Sequence, residues 1–160
     1  MEVNSLLDYI KMLANVTSGQ QKEFYETELA NAKTVKCVPL CEVFTSEEIN
    51  RIKNYVKPQK KECYKNAHLL CVWFPDKAQY VEGQTSCCGI GIDHAFNKIG
   101  DKYVDITMEL CLKEDVTSKE YLSIGEYSLD VINEVVLDNK YYGGIFRNLY
   151  IKNLNSKYLI

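Results

Sequence analysis

A chain of 160 residues, 46% of them hydrophobic, has the size and composition of one globular domain. Its 19 basic and 22 acidic residues leave a net charge of −3, without the clustered basic surplus of a nucleic-acid-binding surface. No apolar run approaches the ~18 residues of a membrane span. The opening MEVNSLLDYIKML lacks a cleavage pattern, and the seven cysteines lack paired spacing. The expectation is therefore a cytoplasmic protein with free thiols and neither membrane nor nucleic-acid partners.

In chain order, residues 4–16 place Leu6, Leu7, Ile10, Leu13 and Ala14 at helical spacing behind Ser5 as a cap. Ser18-Gly19 breaks the pattern, and residues 20–32 predict a second, more polar helix. Val35 to Phe44 reads as a strand, with Pro39 arguing for an edge position. Thr45-x-x-Glu48 is a capping box, and Ile49, Ile52 and Val56 continue a third helix that Pro58 ends.

Lys61 to Phe74 returns to helical periodicity, with Cys63, Ala67, Leu70 and Cys71 on one face and Trp73 expected in the core. Three antiparallel strands follow. Gly89 to Lys98 alternates strictly, with Ile90, Ile92, His94 and Phe96 on an apolar face and Gly91, Asp93, Ala95 and Asn97 on the other, as in a half-buried strand. Gly100-Asp101 marks a turn, Lys102 to Thr107 is the returning strand, and Met108 to Leu112 extends it. Asp115 to Ser123 reads as a polar connector or short helix, Ser128 to Leu137 as a helix and Phe146 to Leu159 as a last helix. The order predicts one α+β domain: a helical part over about 1–57, a core over about 58–112 and a C-terminal helical part over about 113–160.

Three residues in that core suggest chemistry. Cys63 stands at a helix start, where the aligned peptides place about half a positive charge that favours an anion. A thiolate is the form of cysteine that attacks carbonyls. His94 and Asp105 fall on one face of adjacent strands in either register of the Ile99–Asp101 turn: directly opposite if the loop is Ile99-Gly100, diagonal if it is Gly100-Asp101. Both registers put their Cβ atoms roughly 5–8 Å apart. Asp105 can then fix the imidazole tautomer while the other ring nitrogen faces Cys63. His68, Asp93 and Asp101 project elsewhere. Lys57, Lys60 and Lys61 form a small basic cluster beside Cys63, read first as a solvated helix start.

The remaining cysteines suggest no metal or cofactor. Cys37 and Cys41 have no second pair or nearby histidine, and Cys87-Cys88 reads as small strand residues. Asn66, one turn after Cys63, together with Asn97 and Glu109, are candidate supporting residues around the site.

The runs C-Y-K-N-A at 63–67, Y-V-E-G at 80–83, H-A-F-N at 94–97 and Y-V-D-I-T at 103–107 resemble the core of papain-like cysteine enzymes, closest to their transglutaminase-like branch. Phe96 stands where many relatives have Trp, and Ile106 where Pro is common. The resemblance implies a Cys-bearing helix packed on a small antiparallel sheet, and a Cys63-His94-Asp105 triad. It also implies that Gln59 helps bind an oxyanion. The implied activity is that of a protease, deamidase or transglutaminase working through a thioester on a protein, peptide or small amide. The alternative is a non-catalytic binding module on the same fold that captures a host protein or small ligand. The Lys-, Asn-, Ile- and Tyr-rich composition fits a phage, plasmid or bacterial source.

Overall fold

A computed structural model of the chain describes residues 2–157. Helix α1 (Leu6–Val16) starts where the Ser5 hydroxyl accepts the Asp8 N–H, and α2 (Gly19–Asn31) follows after a short break. Strand β1 (Lys33–Val35) leads to α3 (Ser46–Arg51), opened by the expected Thr45–Glu48 capping box and continued by a wider turn over Ile52–Val56. Then come α4 (Cys63–Trp73), β2 (Ala78–Cys87), β3 (Ile90–Ile99), β4 (Lys102–Val104), β5 (Tyr121–Tyr127), α5 (Leu129–Asn139) and α6 (Ile145–Lys157).

The strands form one antiparallel five-stranded sheet in the order β1-β5-β2-β3-β4, so the fold is α+β. On one face Tyr80, Ala95, Ile99 and Val104 pack against Ala67, Leu70 and Cys71 of α4, while Leu122 and Ile124 pack against Leu6 and Ile10 of α1. Residues of opposite parity, Val81, Phe96, Tyr103 and Tyr121, form the other face with Cys37, Met108 and Val116. Residues 94–97 are consequently buried from both sides. The half-buried strand expected from alternation is corrected here: Ile90 and Ile92 at the outer end are 54% and 38% exposed, whereas both His94 and its alternate neighbour Asn97 are sealed.

Other expectations change for local reasons. The strand over Val35–Phe44 stops at Val35; Val38 bonds across to the Tyr103 carbonyl, and a tight helical turn covers Leu40–Glu42 after Pro39. Met108–Leu112 does not extend β4. The Asp105 carboxylate accepts the Thr107 and Met108 N–H groups, and the chain coils into a helical turn over Thr107–Cys111. The connector expected to run to Ser123 gives way at Tyr121 to β5, which lies between β1 and β2. Cys87 ends β2 and Cys88 occupies the turn rather than a strand; Cys88 and Gly89 take φ of 52° and 77°, the turn handedness that matches strand twist. Trp73 is 41% exposed and stacks on Tyr55, because the buried stripe of α4 runs through Ala67, Leu70, Cys71 and then Phe74. The expected end of the last helix at Leu159 lies outside the described residues.

Candidate active site

Cys63 is the first residue of α4. Pro58 does not join the two helices directly. Lys57 ends the preceding turn in the left-handed region at φ 49°, and a loop over 58–62 containing Lys61 at φ 64° delivers the chain to Cys63. Asn66, one turn into α4, holds this loop. Its amide oxygen accepts the Gln59 N–H at 3.0 Å, and its Nδ2 donates to the Gln59 carbonyl at 2.8 Å and to Thr107 Oγ1 at 2.9 Å. The fold thus uses the Gln59 backbone, while its side chain is exposed.

The β3–β4 register pairs Ile99 with Lys102 and Asn97 with Val104, which leaves Gly100-Asp101 as the loop. His94 and Asp105 are therefore diagonal neighbours on one face. His94 Nε2 lies 2.6 Å from Asp105 Oδ2, with both residues buried. The half-buried Cys63 lies near enough to this imidazole to add to its upward pKa shift. Imidazole and carboxylate meet across the β3–β4 end, with the start of α4 close by.

The Asp105 carboxylate is held by four donors. Oδ2 accepts from His94 and, at 2.9 Å, from the Tyr121 hydroxyl; Oδ1 accepts the N–H groups of Thr107 and Met108 at 3.1 Å each. Burial pulls the His94 pKa down, but the charge and hydrogen bond of Asp105, aided by Cys63, outweigh it and push the imidazole up to about 10. Burial beside Asp105 drives the Tyr121 phenol well upward, so it stays a neutral donor.

The other candidates serve the frame. Asn97, fully buried, donates to the Ala67 carbonyl, Cys71 Sγ and the Gln79 carbonyl, tying β3 to α4. Glu109 accepts the Leu40 N–H at 2.9 Å and fixes the turn after Pro39. His68 faces away, bonded to Asn133 Oδ1 at 2.7 Å. Sequence reasoning missed Tyr121 and Thr107. Tyr121 begins a Y-L-S-I-G-E-Y run whose first three residues fall in the expected connector, and Thr107 is expected only as the end of the returning strand and part of a motif.

The first N–H groups of a helix have no intrahelical acceptor, and Glu62, the residue before α4, supplies no side-chain cap for them. They lie beside Cys63 and are suited to an anion. Among the described residues, no cluster of three or more His, Cys, Asp or Glu side chains is arranged to hold a metal ion. No helix among them is long and apolar enough to cross a membrane. No protein-family model, curated protein or solved structure matches the chain.

Proposed function

We propose that the chain is a cysteine-dependent hydrolase or acyltransferase of papain-like, transglutaminase-like type, acting on an amide bond of a protein, peptide or small molecule. The observation that carries the reading is the buried 2.6 Å His94–Asp105 contact, with Cys63 at the start of α4 close enough to influence the imidazole. The reacting form is the ion pair: the Sγ proton has already been given up, and Cys63 stands as thiolate beside the His94 imidazolium that Asp105 holds. The thiolate attacks the carbonyl carbon, and the electron pair of the C=O moves to oxygen. The free N–H groups opening α4 receive that oxyanion; losing one such donor typically raises a barrier by about 3 kcal/mol. Collapse breaks the C–N bond, His94 protonates the departing amine, and a thioester on Cys63 remains. Water then gives hydrolysis, while an amine gives transfer. Asp105 positions the imidazole, Tyr121 and the 107–108 amides position Asp105, and Asn66 positions the loop before the nucleophile.

The competing reading is a non-catalytic binding module on the same fold. It is favoured by the depth of His94, which is only 3% exposed. Iodoacetamide labelling near neutral pH, with the modified thiol mapped by mass spectrometry, separates the two. Fast, selective alkylation of Cys63 that is lost in His94→Ala is the expected result. Labelling no faster than a free peptide thiol rejects the enzyme and favours the binder.

A further inference from the structure

A cavity of about 300 Å³ opens between α2, the start of α4, β2, β3 and α6. It reaches the start of α4 at Tyr64, next to Cys63, and touches the backbone partner of His94 at Gly83, but it lies on the sheet face of Glu82 and Asp93, opposite that of the His94 side chain. Its walls include the rings of Phe24, Tyr64, Tyr141 and Phe146. Its carboxylates are Glu28, Glu82 and Asp93, against one lining cation, Arg147.

These carboxylates differ in what they already do. Both Glu82 oxygens are engaged, by the Tyr80 hydroxyl at 2.7 Å and the N–H groups of Ile145 and Phe146 at 3.1 Å each, so Glu82 caps the start of α6. Asp93 is exposed and accepts a long bond from Gln84 at 3.4 Å. Glu28 is 8% exposed, and its Oε2 has no hydrogen-bond partner. A buried carboxylate oxygen without a donor is costly, and structures rarely keep one unless something outside the chain completes it. Aromatic faces around a carboxylate are the surroundings in which an organic cation is bound by charge and by ring quadrupoles together.

We propose that this cavity binds a primary alkylammonium group, so that the acyl compound delivered to Cys63 carries a lysine-like cationic arm. The assignment of the ligand to Cys63 rests on the proposed acyl chemistry; the cavity's preference for the cation does not. The ammonium donates to Glu28 Oε2, its alkyl stem lies against Phe24 and Phe146, and Asp93 at the mouth adds attraction. Burial, then the charges of Asp93 and Glu82, raise the Glu28 pKa to about 7 in the unliganded chain. The titratable and charged groups that share the cavity with Glu28 are Tyr64 from α4, Glu82 from β2, Asp93 from β3 and Tyr141 and Arg147 from the α5–α6 region, and of these Asp93 and Glu82 act on its charge. Tyr64 stays neutral, its pKa raised by burial and by the nearby carboxylates. Cation affinity therefore strengthens from about pH 6 to about pH 8, as Glu28 ionises.

The test is titration of n-butylammonium, with n-butanol as the neutral probe of equal size, into the Cys63→Ala protein, followed by amide chemical shifts of Tyr64, Gly83 and Phe146. Butylammonium is expected to shift these amides and butanol to bind at least about tenfold more weakly. Glu28→Gln is expected to weaken the ammonium about tenfold, and Arg147→Gln to strengthen it. Equal binding of alcohol and ammonium, or no shifts at all, overturns the proposal. If Glu28→Gln loses its folded spectrum, the exposed Asp93→Asn decides: weaker ammonium binding supports the cavity and unchanged binding rejects it. Butylammonium binding alongside slow Cys63 labelling in the wild-type chain would leave the cavity standing and remove the enzyme. Fast labelling without cation binding would do the reverse.

Discussion

Asp105→Asn tests the site with almost no change of shape. The carboxylate now accepts from His94 at 2.6 Å, from Tyr121 at 2.9 Å and from two backbone N–H groups at 3.1 Å each. An asparagine keeps one accepting oxygen and turns the other position into a donor. Either its NH2 meets the Thr107 and Met108 N–H groups, or it meets His94 and the Tyr121 hydroxyl; in both orientations buried donors lose their acceptor. Breaking a buried charged pair in this way costs about 3–5 kcal/mol. The cost depends on pH, and its sign follows from His94. The folded-state imidazole stands at about 10 against an ordinary 6.5, because Asp105 more than offsets the downward pull of burial. A raised folded value means that the pair's contribution is complete below about pH 6.5 and fades as pH rises toward about 10. The stability gap between wild type and D105N should therefore be widest near pH 6 and close progressively on the alkaline side. Urea denaturation followed by far-ultraviolet circular dichroism across that range reads it directly. A gap that stays flat from about pH 6 to about pH 10, or a D105N protein as stable as wild type at the acid end, would refute the assignment of Asp105 as the group that holds His94 charged.

Tyr121→Phe removes one donor from the buried carboxylate and should cost about 1.5–3 kcal/mol in chemical denaturation, since the lost bond is to a charged group. It should slow Cys63 alkylation less than His94→Ala does, because the imidazole keeps its main partner. Asn66→Ala strips acceptor and donor from the Gln59 backbone and a donor from Thr107 Oγ1. A loss on the order of 3 kcal/mol is expected, with faster hydrogen exchange at the Glu62 and Cys63 amides than elsewhere in α4. Gly83→Ala places a Cβ on top of the Leu122 carbonyl in the adjoining strand, where the β2–β5 register shifts. Backbone cannot yield as a side chain would, so destabilisation above about 4 kcal/mol is expected, read as a collapse of thermal stability or of soluble yield.

The elements legible in the sequence were those whose signal is local. The Ser5 cap, the Thr45–Glu48 capping box and the apolar stripes of α1, α4 and α5 each depend on residues within a few positions of one another. β5 was hidden for the opposite reason. Lys119 and Glu120 precede it and Gly125 and Glu126 interrupt its apolar residues, so its strand character comes from pairing with β1 and β2 on either side. The failed extension of β4 is a third case, in which a side chain overrode propensity. Met108 to Leu112 is apolar enough for a strand, but the carboxylate that holds His94 also accepts the backbone N–H groups two and three residues on and starts a turn.

That double use of Asp105 explains why the candidate site was easier to read than the sheet around it. The placement of His94 and Asp105 on one face needed only strand alternation and a turn within Ile99–Asp101, whichever register it took; the structure makes them diagonal. Their environment needed the whole fold. Tyr121 reaches Asp105 from a strand inserted beyond β2, and Asn66 links the loop before Cys63 to Thr107 across 41 positions of chain. Through Thr107 the clamp on the nucleophile loop and the cap on the carboxylate share one residue: its hydroxyl holds Asn66 and its N–H holds Asp105. Thr107→Val keeps the backbone N–H and the branched shape and removes only the hydroxyl. It should loosen the loop before Cys63, slowing alkylation, while leaving the pH-dependent stability from His94 and Asp105 intact. Loss of that pH dependence in Thr107→Val would mean that the loop and the carboxylate are not separable parts, and the positioning role given to Asn66 would fail.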